Sequence, residues 1–264
     1  MASGSILNNV SALGASRQLG ITGAGLEQTL KRLTTGKRIN QASDDAAGLA
    51  ISNRLGADIR IAVQARRNAY DGIAMLQVAD GTLDEVTNLL TRAAELSQQS
   101  RTGTVSDTNR QAIDLEFKKI ISTISDLNKS TTFNGASVFG TKEVVIAIAG
   151  FTEPTVTVGT IGALDGNLLK AGDAKTAEEN VQKLIQSVSM LRASIGASQQ
   201  TLNSYANTLG IQVENFTAAF AQIRDANIAD EVVNLTKFQI LNQSGTSALG
   251  QANMTAQSVL ALLR

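Results

Sequence analysis

Apolar residues along this chain recur at alternating steps of three and four, and that spacing predicts long helices. The clearest row is Leu76, Ala79, Leu83, Val86, Leu90 and Ala93, inside a helical pattern that runs to about Ser100. The segment "SRTGTVSD" interrupts it, with Ser106 or Asp107 placed to cap a new helix. On that helix Ile113, Phe117, Ile120, Ile124 and Leu127 share one face. The C-terminal third is the most regular part. Leu184, Val188, Leu191, Ile195, Ser198, Leu202, Tyr205, Leu209, Val213, Phe216, Phe220 and Ile223 keep the rhythm with one four-four step. Such a step is a stutter, which locally unwinds a left-handed supercoil.

Both ends of the chain carry narrower stripes. Ile6, Val10 and Leu13 form one, and Leu26, Leu30 and Leu33 another, out of phase with the first across "LGITGAG". Three glycines in that segment weaken a helix by roughly 1 kcal/mol each, so this helix needs neighbours. At the other end Ile228, Val232, Leu235, Leu241 and Leu249 lead to "SVLALLR", which holds Leu260 and Leu263. Stripes with no core of their own predict termini that pair with each other and with other chains. They are expected to fluctuate in a monomer and to be ordered in an assembly. Residues 131–172 differ: "TFNGASVFG" is turn-rich, and "EVVIAIA" and "TVTVGTI" are short β-prone runs around "GFTEP". The pattern therefore predicts a mainly α fold, a long antiparallel helical coiled-coil bundle built from the N- and C-terminal halves. One small β-hairpin region at about 140–165 caps it.

Composition removes several classes of chemistry. The 264 residues contain no Cys, no His and no Trp, which takes away thiol, imidazole and the usual zinc chemistry; no metal or cofactor is expected. Lys and Arg number 23 against 23 Asp and Glu, so no bulk charge draws the chain to nucleic acid or an anionic membrane. The first twenty residues lack the basic and continuous apolar regions of a secretory signal. No run approaches the roughly eighteen apolar residues of a membrane span.

One stretch looks chemical at first: "LTTGKRINQASDDAAGLAISNRL", residues 33–55. Its adjacent Asp44 and Asp45 cannot converge on one substrate atom from a helix, because neighbouring side chains diverge. Ser43, Asp44 and Asp45 read better as the start of a helix, where side-chain oxygens cap free amides. "TTGKR" lacks the spaced glycines of a phosphate loop. Lys31, Arg32, Lys37, Arg38, Arg54, Arg60, Arg66 and Arg67 make this quarter basic, but acids are interspersed and aromatics scarce. A solvated or interchain ion-pair surface fits better than a nucleic-acid patch.

That stretch, with "ARRNAYDGIAMLQVADGTLDEV", "RAAELSQQS", "TTFNG", "IRDANIADEVVNLTKFQILNQSGTSALGQAN" and "VLALLR", closely resembles bacterial flagellin. The likeness covers roughly residues 5–139 and 180–264. Only about forty residues lie where flagellins often carry large variable outer domains, so the resemblance is to a minimal core. It implies a structural subunit that self-assembles into an extracellular flagellar filament, with no catalysis. Export would be through the flagellar type III apparatus, without a cleaved signal peptide. A chaperone, the filament cap and hook–filament junction proteins would be its other partners. The resemblance divides the chain into an inner core, 1–42 and 226–264, and an outer core, 43–225. Arg38, Asp44, Asp45, Arg224, Asp225 and Asp230 would be the charged residues of the joint between them, pairing across it or across subunits. Val10, Leu13, Leu26, Leu30, Leu33, Val232, Leu235, Leu241, Leu260 and Leu263 would pack the terminal helices. Arg92, Leu96 and Glu116 match a patch through which flagellins engage a host Toll-like receptor. The rival readings are a hook–filament junction protein and, more remotely, a secreted coiled-coil effector or translocator.

Overall fold

The computed structural model describes residues 9–140, 144–148, 155–156 and 158–262. Among the described residues, five helices and four two-residue strands follow in order. They are α1 (Val10–Thr35), α2 (Ala46–Arg101), α3 (Asp107–Ser130), β1 (Thr132–Phe133), β2 (Ala136–Ser137), β3 (Val144–Val145), β4 (Thr155–Val156), α4 (Ala171–Arg224) and α5 (Ile228–Leu262). The chain divides into two compact units, Met1–Asp58 with Asn215–Arg264, and Ile59–Glu214. The divisions fall inside α2 and α4.

The larger unit is a three-helix bundle with a strap. On α2 the buried row is longer than the apolar pattern alone indicates. Ala62, Ala65, Ala69, Gly72, Leu76, Ala79, Leu83, Val86, Leu90, Ala93, Ser97 and Ser100 are all buried at unbroken three-four spacing. That is the a/d seam of a coiled coil, with small residues letting a neighbour approach. On α4 the matching row runs Ala174, Ala177, Val181, Leu184, Val188, Ile195, Leu202 and Leu209. The two helices are antiparallel, as three cross-helix contacts record. Arg101 pairs with Glu178, Arg192 reaches Asp80 and Asp84 at 2.9 and 2.8 Å, and Leu202 lies against Gly72. The hydrogen bond to Asp80, ahead of that to Asp84, holds the Arg192 guanidinium even more firmly protonated. Helix α3 starts at Ser106, whose side chain accepts from the Asn109 amide. It buries Ile113, Phe117, Ile120 and Ile124, as its spacing predicts, and Leu127 packs against them partly exposed.

The region after α3 differs from expectation in two ways. Thr132–Phe133 and Ala136–Ser137 form a hairpin of their own around Asn134-Gly135, both at positive φ (50° and 78°). A two-residue turn of that hand matches strand twist, and Asn-Gly is its preferred sequence. The anticipated hairpin also exists, antiparallel between β3 and β4 with Val144 opposite Val156, while its turn lies outside the described residues. However, among the described residues "TVTVGTI" is strand only at Thr155–Val156. From 158 to 168 the chain is an irregular strap that buries Val158, Ile161, Leu164 and Leu168 on the bundle. Leu168 is fixed at both backbone groups. Its amide donates to Asp114 Oδ1 at 2.8 Å, and its carbonyl accepts from Ser100 Oγ at 2.6 Å. A buried strap requires such partners, because an unpaired peptide group away from water is costly.

The smaller unit contains α1 paired antiparallel with α5. Asn9 donates to the Ala252 carbonyl at 2.9 Å, Leu19 lies against Gly245, Phe238 against Gly25, and Arg32 pairs with Glu231 at 3.2 Å. Contacts advance along α1 as they recede along α5, from Asn9–Ala252 to Arg32–Glu231.

Candidate functional site

The seam between α1 and α5 is unusual in what it buries. On α1 the covered positions are Ala12, Ala15, Leu19, Thr22, Leu26, Thr29 and Leu33; on α5 they are Glu231, Leu235, Phe238, Asn242, Gly245, Leu249 and Ala252. Both sets keep strict three-four spacing, so this is a heptad seam, but threonine, asparagine, glutamate and glycine hold five of its fourteen positions. Alongside the leucines of the seam, a second set of large apolar residues points outward. Val10 and Leu13 are each 72% exposed, and Ile21, Leu30, Val232, Val233, Ile240, Leu241 and Met254 are also exposed. Of the ten residues expected to pack the terminal helices, Leu26, Leu33 and Leu235 are partly covered, while Val10, Leu13, Leu30, Val232 and Leu241 are not. Leu260 lies on α5 with no side-chain description, and Leu263 lies outside the described residues. The phase error has a plain cause. Counting Leu30 as a seam residue skips Thr29, a threonine that a hydrophobic tally ignores.

At the end of this pair the chain turns twice, and the two turns lie side by side. Gly36 ends α1 at φ 68°, a left-handed position that glycine takes without strain. Its carbonyl accepts from the Ala226 amide at 3.0 Å, Lys37 bridges Asp225 antiparallel, and the Arg38 amide donates to the Arg224 carbonyl at 2.7 Å. The Arg38 guanidinium donates to the Ile223 carbonyl at 2.9 Å, and Ile39 beneath it is buried. A short antiparallel backbone crossing thus links the stretch that follows α1 to the stretch that follows α4.

Its carboxylates work within the chain. Asp44 Oδ2 accepts from the Asn40 and Gln41 amides at 3.0 and 3.1 Å, and these bonds hold its carboxyl below the usual aspartate value. Asp45 caps α2, accepting from the Gly48 amide at 2.8 Å. Asp230 accepts from Asn227 Nδ2 at 2.9 Å at the start of α5. Arg224 stacks over Phe220 at 5.7 Å and donates to Asn53 at 3.2 Å. Among the described residues no ion pair joins Arg38 or Arg224 to Asp44, Asp45, Asp225 or Asp230 within the chain. The pair that does form is Arg32–Glu231, and it was not anticipated. Glu231 is buried, and "ADE" at a helix start reads as ordinary first-turn acidity.

In the larger unit Arg92 lies between Glu116, at 2.8 Å, and Glu95, at 3.1 Å, both carboxylates exposed. Leu96 is not part of that surface. It is 1% exposed and belongs to the core, because it sits beside the buried row of α2. A patch formed by all three residues is thereby corrected to a pair of exposed charges. Among the described residues no cluster of carboxylates could hold a metal ion, and no helix is long and apolar enough to cross a membrane.

These are parts of a building unit: long seams, a joint, and a terminal pair with its aliphatic face outward. Comparison with known proteins agrees. The profile of the bacterial flagellin N-terminal helical region matches residues 6–143, and that of the C-terminal helical region residues 179–263. The chain belongs to the bacterial flagellin family. The Treponema phagedenis flagellar filament 33 kDa core protein is 35% identical, with 98% of this chain and 99% of the relative aligned. Flagellin of Halalkalibacterium halodurans is also 35% identical with the same coverage, and Treponema pallidum flagellin FlaB2 is 34% identical. Among solved structures, Bacillus cereus flagellin shares 25% identity at a TM-score of 0.50, over 58% of this chain and 94% of that one. This flagellin is a structural subunit of a filament, and its family is a family of structural proteins.

Proposed function

We propose that copies of this flagellin polymerise through the outward aliphatic face of the α1–α5 pair, outside the cell. Residues 1–42 and 226–264 would form the inner core of the filament, and 43–225 the outer core. The observation that supports this reading is the outer face of the pair. Two helices that already bury a leucine-bearing seam between them, yet still expose Val10, Leu13, Ile21, Ile240 and Met254, present an apolar surface of the kind that marks a protein–protein contact. The joint would fix where the inner pair begins, its carboxylates holding the turns and helix starts that set subunit fit. Membership of the flagellin family supports export through the flagellar type III apparatus, a chaperone, and contacts with cap and junction proteins. Arg92 and Glu116 remain accessible for a host Toll-like receptor.

Seeded polymerisation followed by electron microscopy tests the reading. Wild-type protein is expected to extend seeds into filaments. Ile21→Asp with Ile240→Asp is expected to leave the larger unit's urea transition unchanged and to abolish growth. Growth of that variant at the wild-type rate would refute the assignment of the face.

A further inference from the structure

We propose that a second copy of this chain docks Leu115 and Lys119 of α3 into the groove between α2, the Asn134-Gly135 hairpin and β3. The inference rests on the self-assembly proposed above. A polymer of identical copies that does not close needs a heterologous contact, with a knob and a hole at different places on one surface. Both are present in the larger unit. The knob is Leu115, 70% exposed and the most exposed large apolar side chain described in this unit, although its neighbours Ile113 and Phe117 are buried. Lys119 stands one helical turn further on the same face and is exposed. Among the described residues it joins no ion pair, whereas Lys118 is tied to Asp114 at 2.7 Å.

The hole is a groove of about 420 Å³. Ile146 lies directly over Gly72, where no side chain would fit, and Met75 beside it is also buried, so the floor is apolar. Phe133 and the half-exposed Val145 add apolar wall. Asp71 lies at the lining, exposed and in no ion pair among the described residues. A leucine with an ammonium one turn away thus matches an apolar floor with a carboxylate beside it. No side chain of the described groove fills this space, which is large enough for a leucine.

The test uses the full chain in seeded assembly and reads the lowest concentration that supports growth. Leu115→Asp is expected to raise it about tenfold or more, since a leucine burial is lost and a charge meets an apolar floor. Lys119→Asp and Asp71→Lys should each raise it, and the double variant should return it to within about twofold of wild type, because the pair is then reversed in every contact. The chain contains no cysteine. Gln111→Cys with Ser137→Cys should therefore give a ladder of multimers with a short bismaleimide in filaments, and none in monomer or in either single variant. Leu115→Asp growing at the wild-type concentration, or absent rescue with both single variants folded, would overturn the docking while leaving self-assembly standing. A wild-type chain that does not extend seeds would overturn both.

Discussion

Replacing Asp114 with alanine should destabilise the larger unit through a single peptide group, the Leu168 amide. The carboxylate accepts that N–H at 2.8 Å at a residue with no exposed surface. Alanine leaves a buried donor without a partner, which costs roughly 1–3 kcal/mol. The Lys118 pair adds less, because its ammonium is half exposed and an i,i+4 pair contributes about 0.3–0.5 kcal/mol. Alanine's better helix propensity opposes both by at most about 0.7 kcal/mol. The orphaned amide dominates, and the net loss should be about 1–3 kcal/mol. Urea unfolding of the monomer is the assay, with the loss read as a lower midpoint at unchanged slope. Asp114→Asn keeps an acceptor and should lose less than half as much. Ser100→Ala frees the Leu168 carbonyl, so its effect should be less than additive with Asp114→Ala, the strap being released once. A midpoint for Asp114→Ala within 0.3 kcal/mol of wild type, by the additivity margin of about that size, would refute the view that this bond holds the strap.

Three further outcomes follow from the smaller unit. Asp44 has a folded-state value below the ordinary one, so its support for the joint is complete above about pH 4 and fades as pH falls through that lowered value. Exchange of the Asn40 and Gln41 amides should accelerate in that acid window, and Asp44→Asn should remove the pH dependence. Within α1, Gly23→Ala meets open space and should stabilise the helix by about 0.5–1 kcal/mol, whereas Gly25→Ala drives a methyl to 2.7 Å from the Phe238 ring and should raise amide exchange across α5. Equal exchange in the two variants would sink the close packing at Gly25. Arg32→Met leaves the Glu231 carboxylate buried without its partner and should lower the melting of filaments, with Glu231→Gln restoring part of the loss.

The sequence reveals the parts of this fold that are regular over many turns. Leu76 to Ala93 on α2 and Leu184, Val188, Ile195, Leu202 and Leu209 on α4 are buried at the anticipated positions, with Leu191, Ser198 and Tyr205 half-buried between them, because a repeated period leaves one possible face. Where the seam uses threonine or glycine, as at Thr22, Thr29 and Gly245, a hydrophobic count loses the phase. The strap from 158 to 168 escaped because it is neither helix nor strand although its buried residues fall three, three and four apart, and its tertiary bonds to Ser100 and Asp114 fix it. The first hairpin escaped because two-residue strands cannot show alternation, although Asn134-Gly135 carried the turn. At the joint the chain crossing was legible, but its bonding was not. Charges suggested ion pairs, and the structure uses backbone carbonyls, whose positions no residue letter encodes.

The pairing of α1 with α5 also has a consequence in time. Asn9 and Ala252, which meet across it, are separated by 243 positions along the chain. The turn at Asn134-Gly135 and the α2–α3 contact can close within microseconds to milliseconds of becoming available, since they are local. The terminal pair cannot begin until both extremities of the polypeptide are free. Whichever extremity emerges first must wait, unpartnered, for nearly the whole of the rest. In a chain delivered end first, the α2–α4 contacts close before the terminal pair, which is the last to form.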